Sequence, residues 1–341
     1  MLLAVFGVPT ATTALGVRVV QALFNAAFGP YDFLMAGTLE ELRDAWLKLS
    51  TKNVLFYHEA PGAEVISFLR EARAPTIVFL CDPIELASAL FTEREFDFLQ
   101  AIRAASVSIS VLQDLSLDND VLHIDVGSLS RQSLSSFIAS IAEHIGVSIN
   151  QDLRTVTIST VFGGGVQDDV EHERWVALVR PANALRSSGQ QDEEAMPFGE
   201  RCLADYRPVY DGKLIKQVCW HPEMFVSFDA GRLPLNGPVD MTGRQRVLIE
   251  GPGMGLPRGE WIADIRFAVS NNLAGAVMLV AAFADSKIAL GRVELPVTGS
   301  HSCELSFQHL RPQCAVGFQF VLERGVLQGE FSLLSVICRR R

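Results

Sequence analysis

The sequence predicts an α/β domain with a parallel sheet sandwiched by helices over residues 1–200, then a polar linker over 201–222, and then an all-β jelly-roll sandwich over 223–341. In the first half, apolar runs of strand length at 2–6, 53–57 and 75–80 alternate with helical segments. Continuous apolar strands of this kind belong to a parallel sheet covered on both faces. In the last third, turn signals recur at Gly231, Asn236-Gly237-Pro238, Gly251, Pro257, Asn271-Asn272, Gly299 and Gly325, with short strand-like runs between them. Many short strands with regular turns and almost no helix describe a sandwich.

The elements follow in order. The run 2–6 breaks at Gly7-Val8-Pro9 into a hydroxyl-rich turn, Thr10 to Thr13, and Leu15, Val19, Val20 and Leu23 then recur at helical spacing. A buried strand feeding a tight loop that opens a helix can present backbone N–H groups to a phosphate. A short strand is expected at 31–35. Thr38 with Glu41 three residues on makes a capping box for a helix over 39–49. Strands at 53–57 and 75–80 end at His58-Glu59-Ala60-Pro61 and Cys81-Asp82-Pro83, and each precedes a helix, 63–72 and 84–91. A strand at 120–125 and a serine-rich helix at 131–145 complete the pattern, and 150–162 is left open. Gly163-Gly164-Gly165 reads as a break, the acidic 168–171 as the cap of a helix over 170–185, and 187–194 as a loop or disordered stretch. Strands are expected at 246–250, 261–269, 277–283, 292–295, 302–307, 316–322 and 329–337.

The totals limit the partners. The chain has 341 residues, 49% of them hydrophobic, and a formal net charge of −10, which makes nucleic acid and anionic membrane poor partners. The closing Arg339-Arg340-Arg341 reads as a tail. Six cysteines (81, 202, 219, 303, 314, 338) form no CxxC pair and read as buried free thiols of a reducing compartment. No basic stretch precedes the first apolar run, and residues 273–283 are too few to span a bilayer, so a cytoplasmic protein without signal peptide or membrane span is expected. His123, His144, His172, His221, His301 and His309 show no metal-ligand spacing, so no metal is expected.

Neither GxxxxGK[ST] nor GxGxxG is present. The strand–loop–helix instead resembles the sulfotransferase superfamily, whose loop reads roughly G-x-P-[RK]-[ST]-G-T-[TS]. Gly7, Pro9 and Thr13 match; Thr10 stands at the basic position, Ala11 at the Ser/Thr position and Thr12 at the second glycine. His58 with Pro61 resembles the segment that carries the family's catalytic base. Leu80 to Ser88 looks like the R-[DN]-P-x-x-x-x-x-S stretch that grips the 3′-phosphate of the donor: Asp82-Pro83 and Ser88 fit, while the Arg is replaced by Leu80-Cys81. Residues 121–125 with the helix ending His144-Ile145-Gly146-Val147 resemble the "YEDL…FLGL" segment, and the likeness covers roughly 1–148. The resemblance implies 3′-phosphoadenosine 5′-phosphosulfate as cofactor, held by Gly7, Pro9, Thr10, Thr12, Thr13 and Ser88, with His58 as general base.

The departures matter chemically. Sulfuryl transfer loads negative charge onto bridging and leaving oxygens, where a fixed cation typically contributes a few kcal/mol. Thr10 supplies no cation, and Cys81 does not replace an arginine that holds phosphate bidentately. Arg18, a turn into the helix, and the arginines at 180–186 are the candidate substitutes. Two readings of the loop stand side by side: amides plus the Thr12 and Thr13 hydroxyls hold an anion, or the loop is a structural turn. His58 is either a base poised near neutral pH or a strand-end cap. Ser88 is otherwise an ordinary helix serine, and Asp82-Pro83 a helix cap.

The last third resembles jelly-roll carbohydrate-binding modules, chiefly through 251–261 and the strands that follow. Trp220, Trp261 and Phe228 are the candidate sugar-stacking aromatics, although the alternation of Trp261 with Ile265 and Phe267 equally suits a core strand; Phe283, Phe307, Phe318, Phe320 and Phe331 read as interior. The expected function is that of a sulfotransferase-like protein, possessing a weakened loop, that acts on or recognises a glycan in cell-surface polysaccharide production. A non-catalytic carbohydrate-binding or scaffolding protein, and a nucleotide-binding α/β regulator, are the alternatives. The partners are then a glycan or a nucleotide, with a homo-oligomer or protein partner through the sandwich.

Overall fold

The structure, a computed structural model, describes residues 1–94, 96–116, 120–163, 175, 192–228 and 231–341. The chain begins with β1 (Leu2–Gly7), α1 (Ala11–Phe28), β2 (Asp32–Leu34), α2 (Leu39–Trp46), β3 (Val54–His58), α3 (Ala63–Glu71), β4 (Thr76–Leu80), α4 (Pro83–Glu93), α5 (Phe98–Ser116) and β5 (Val121–Asp125). The five strands form one sheet in the order β2-β3-β1-β4-β5, every pair parallel. With β1 central, the chain fills one side of it through β3 and then crosses to β4 on the other. Such a reversal opens a crevice beyond the carboxyl ends of the strands, and the register brings His58 beside Phe6, Phe79 beside Gly7 and Asp125 beside Leu80 there.

Local chemistry explains the helix starts. Thr38 and Glu41 form the expected capping box: Thr38 Oγ1 accepts from the Glu41 amide at 3.2 Å and Glu41 Oε2 accepts from the Thr38 amide at 3.3 Å. Asp82 caps α4 through the Ile84 amide at 2.8 Å, with Pro83 in the first turn. Because α2 is short, its cap is a large part of its stability. Thr38→Ala is expected to lower unfolding free energy by about 1 kcal/mol in guanidinium titration, and an unchanged midpoint would show that α2 is held by packing alone.

After β5 come α6 (Leu134–His144), α7 (Gln151–Phe162) and α8 (Asp192–Leu203). The open stretch 150–162 is thus a helix, started by Asn150 through the Leu153 amide. The expected loop at 187–194 ends earlier, since α8 begins at Asp192. The expected helix over 170–185 and its acidic cap lie outside the described residues apart from Trp175, as do the arginines at 180 and 186.

The segment expected as a linker, 201–222, is folded. It carries the end of α8, the short helix α9 (Arg207–Tyr210) and β6 (Gln217–Trp220). β6 pairs antiparallel with β16 (Glu330–Arg340), which makes it an edge strand of the sandwich. The rest of the sandwich comprises β7 (Val226–Ser227), β8 (Leu233–Pro234), β9 (Val239–Asp240), β10 (Val247–Met254), β11 (Gly259–Ser270), β12 (Val277–Phe283), β13 (Lys287–Glu294), β14 (Gly299–His309) and β15 (Val316–Leu322). One antiparallel sheet runs β13-β12-β15-β10-β7-β8; the other runs β14-β11-β16-β6, with β9 on β16. Val316, Phe318, Phe320 and Leu322 of β15 point inward while Gly317, Gln319 and Val321 face the other way, the period of two that a half-buried strand requires.

The two halves share one apolar core. Helix α5 lies between them, and burial extends almost all round it: Ala101, Ile102, Ala105, Ser106, Ile109, Val111, Leu112 and Gln113 are covered. Polar bonds fasten the junction. Tyr206, wholly buried, donates its hydroxyl to the Gly255 carbonyl at 2.8 Å, the Gly255 amide donates to Ser106 Oγ at 2.9 Å, and the Ile215 amide donates to Gln113 Oε1 at 2.7 Å.

Candidate functional site

The Gly7–Thr13 loop sits where the strand order predicts, at the carboxyl end of β1. Its donors are turned inward. The Val8 amide donates to the Phe79 carbonyl at 3.1 Å and the Thr10 amide to the Val8 carbonyl at 2.8 Å. The Thr13 amide donates to Thr10 Oγ1 at 3.1 Å, and Thr10 Oγ1 in turn donates to Thr13 Oγ1 at 3.0 Å. The Ala11 amide, in the first turn of α1, donates to Glu93 Oε2 at 2.8 Å. A carboxylate from α4 therefore stands at the helix N-terminus, where the dipole and free amides favour an anion. Thr10, Thr12 and Thr13 are all buried, and a Cβ on Gly7 would come within 2.7 Å of Thr13 Cγ2 and 2.9 Å of Phe79 Cβ. The turn is packed against its own Thr13 methyl and against β4.

The neighbouring strand ends carry negative charge. Asp82, Glu85 and Asp125 meet at the ends of β4 and β5, with Glu93 and Glu59 nearby. Glu85 is exposed along its stem, but its carboxyl lies against Gly127, whose Cβ would sit 2.7 Å from Oε2. Burial of that carboxyl, then Asp82 and Asp125, push its pKa up, with Arg131 opposing. Burial, reinforced by Glu85, Asp82, Asp125 and Glu93, holds the Cys81 thiol well above its ordinary value. Two arginines face this edge as ion pairs: Arg207 Nε on Asp82 at 3.1 Å and Arg94 Nη2 on Glu59 at 3.5 Å. Arg18, a candidate substitute cation, reaches the other way and donates to the Val161 carbonyl near the end of α7 at 3.4 Å.

His58 ends β3 half-buried, and its Nδ1 accepts the Ala60 amide at 2.9 Å. Its pKa is lowered, chiefly by burial, against the pull of Glu59 and Glu41. A neutral ring whose Nδ1 lone pair faces that amide carries its hydrogen on Nε2, and so offers a donor rather than a base at its outer nitrogen. Ser88 sits half-buried on α4, its carbonyl accepting from Thr92 Oγ1 at 3.0 Å. The structure thus gathers Gly7, Pro9, Thr10, Thr12, Thr13 and His58 at one edge of the sheet, and adds Glu93, which no local sequence signal marks because it lies 82 residues from its partner Ala11.

In the sandwich, the expected aromatics are placed differently. Trp220 and Trp261 are inside the core, with relative exposures of 0% and 1%. Trp261 Nε1 donates to the Pro257 carbonyl at 3.0 Å, and Trp220 Nε1 to Tyr206 Oη at 3.4 Å. Neither offers a ring to a ligand. Phe228 is half-exposed, with the Arg232 guanidinium 4.9 Å from its ring centre.

A groove of about 570 Å³ opens instead on the outer face of the β7-β10-β15-β12 sheet. Register sets its floor. Gln319 of β15 lies between Glu250 of β10 and Ala281 of β12, and Gly317 lies between Pro252 and Phe283. Gly317 has no side chain, so a dip lies beside the ring of Phe283 and next to a polar row of Glu250 and Gln319, with the buried Pro252 beneath it. Phe283, expected in the interior, is half-exposed here. Arg103 of α5 and Arg232 complete the rim.

Among the described residues no group of histidine, cysteine and carboxylate side chains is placed to hold a metal, all six cysteines are free, and no helix is long and apolar enough to cross a membrane. No family model and no curated sequence matches the chain. Among solved structures, the chain is similar over its N-terminal part to mouse sulfotransferase SULT7A1 complexed with PAP, at 10% identity and a TM-score of 0.41, covering 62% of this chain and 88% of that one. Over its C-terminal part it is similar to the C-terminal CBM6 of LamC, a marine laminarinase from Zobellia galactanivorans, at 9% identity and a TM-score of 0.25, covering 36% and 99% of the two chains. It is likewise similar to TmCBM61 in complex with β-1,4-galactotriose, at 12% identity and a TM-score of 0.23, covering 37% and 88%.

Proposed function

We propose that this is a non-catalytic glycan-recognising protein, in which a sulfotransferase-like α/β domain serves as a scaffold for the β-sandwich and the groove over Gly317 takes the sugar. The observation that carries the first half is the bond from the Ala11 amide to the Glu93 carboxylate. A donor phosphate would have to displace that carboxylate, break the Thr10–Thr13 hydroxyl pair and enter a loop in which Thr10 holds the place of a cation. The groove supports the second half. Sugar sites pair an apolar ring face with a few fixed polar groups, and Phe283 beside Glu250 and Gln319 supplies both. A place in cell-surface polysaccharide production would then be recognition of the polymer rather than its modification, and six free thiols suit a reducing compartment.

Titration calorimetry with 3′-phosphoadenosine 5′-phosphate tests the scaffold reading. The expected result is no heat up to millimolar ligand, a binding free energy weaker than about −4 kcal/mol. Micromolar binding that Thr13→Ala abolishes would restore the enzyme reading, with 3′-phosphoadenosine 5′-phosphosulfate as cofactor. A glycan array probed with the full chain tests the groove, and silence across neutral and acidic polysaccharides would end the glycan reading.

A further inference from the structure

The groove is not made by the sandwich alone. Arg103 enters it from α5 of the α/β domain, across the junction, while Arg232 enters from the turn between β7 and β8. These are the two cations of the lining, against the single carboxylate of Glu250, in a chain whose formal net charge is −10.

The hydrogen-bond partners of Arg103 carry no charge: its Nε donates to the Pro252 carbonyl at 2.6 Å and its Nη2 to the Met224 carbonyl at 3.4 Å, which orient the guanidinium, while Asp97 and Glu250 also act on it electrostatically. Arg232 stacks on Phe228 and stands 4.0 Å from Glu250, an exposed pair whose mutual attraction is weak. A half-buried guanidinium fixed by backbone carbonyls is costly without a purpose, and a planar fork is the side chain best suited to carboxylate or sulfate.

Resting on the glycan reading above, we propose that the groove is a composite site selective for an anionic saccharide, one whose rings carry carboxylate or sulfate. The sugar ring lies over Gly317 against Phe283, its hydroxyls meet Glu250 and Gln319, and its acidic group meets Arg103 and Arg232. The α/β domain thereby becomes part of the specificity of the sandwich, and the rigid junction acquires a function.

The test uses the full-length protein and calorimetry with three probes of similar length: a neutral β-glucan hexamer, an oligogalacturonate hexamer and a sulfated galactan oligosaccharide. At low salt the acidic probes are expected to bind at least tenfold tighter than the neutral one, and the ratio should shrink towards unity at about 1 M salt, where the screening length falls to about 3 Å. Arg232→Ala is expected to remove most of the preference, bringing the acidic probes to within about twofold of the neutral one. Gln319→Leu should weaken all three alike. Oligogalacturonate binding with no sulfated-galactan binding identifies carboxylate as the group read, and the reverse identifies sulfate; both support the site. Equal affinity for neutral and acidic probes overturns the anionic selectivity but leaves glycan recognition standing. No binding to any probe overturns both. A preference that survives Arg232→Ala and the Arg103→Met variant, with Arg103→Met checked for native circular dichroism, moves the anion site elsewhere.

Discussion

Gly255→Ala is expected to destabilise the protein by about 3–5 kcal/mol. A Cβ at this position would lie 2.5 Å from the Ser106 carbonyl oxygen and 2.5 Å from Val107 Cα. Both are backbone atoms inside α5, so no rotamer change relieves the contact, and either the helix or the strand end must move. Overpacking alone typically costs 1–3 kcal/mol. The displacement also stretches two buried bonds that meet at this residue, from its amide to Ser106 Oγ at 2.9 Å and from Tyr206 Oη to its carbonyl at 2.8 Å. An orphaned buried polar group costs about 1–3 kcal/mol more. Guanidinium titration followed by tryptophan fluorescence checks the result, because Trp220 hydrogen-bonds to Tyr206 at this seam. Ser106→Ala, which deletes one bond without a clash, should cost only about 1–2 kcal/mol. A loss below 1 kcal/mol for Gly255→Ala would mean that the two halves do not approach as closely as the shared core requires.

That seam is also where sequence reading ran out, for physical reasons. Thr38 and Glu41 were legible because a capping box is complete within four residues. The alternation of β15 was legible because one of its faces is buried and the other is not. Helix α5 had no such contrast: covered by the sheet on one side and the sandwich on the other, its 106–111 run of Ser-Val-Ser-Ile-Ser-Val shows no polar face for a helical period to mark. β6 reads as linker in the sequence because Gln-Val-Cys-Trp becomes a strand only by pairing with β16, more than a hundred residues later. In the candidate site, the absence of charge at Thr10 and Cys81 could be read residue by residue. Glu93 and Arg103 could not, since each acts on a partner brought to it by the fold. Tryptophan is a poor guide to the groove for the same reason. Trp220 and Trp261 are inside, and the half-exposed ring at the groove belongs to Phe283, the last residue of a strand whose apolar run reads as core.

Acidification from pH 7 to pH 4 is expected to destabilise the protein by about 3 kcal/mol through His309 alone. The side chain ends β14 with 1% exposure, and its Nε2 has no hydrogen-bond partner among the described residues. Burial lowers its pKa to about 4, against smaller opposing effects of the Leu256 carbonyl and Asp285. In the unfolded chain the imidazole titrates near 6.5. Between those values the unfolded state binds a proton that the folded state does not, so stability falls as pH falls through about 6.5 and levels off below about 4. Each pH unit inside the window is worth about 1.4 kcal/mol. His144, whose pKa burial also lowers, adds a contribution of the same sign. Guanidinium midpoints at pH 7.5, 6.5, 5.5 and 4.5, for the native chain and for His309→Gln, isolate the effect. The variant starts less stable at pH 7.5, because glutamine fits the site less well, but its curve should be flatter through the window and should approach that of the native chain near pH 4.5. Parallel curves across the whole range would show that the imidazole takes up its proton in the folded state as readily as in the unfolded one, and hence that the core around β14 admits a charge that its burial should exclude.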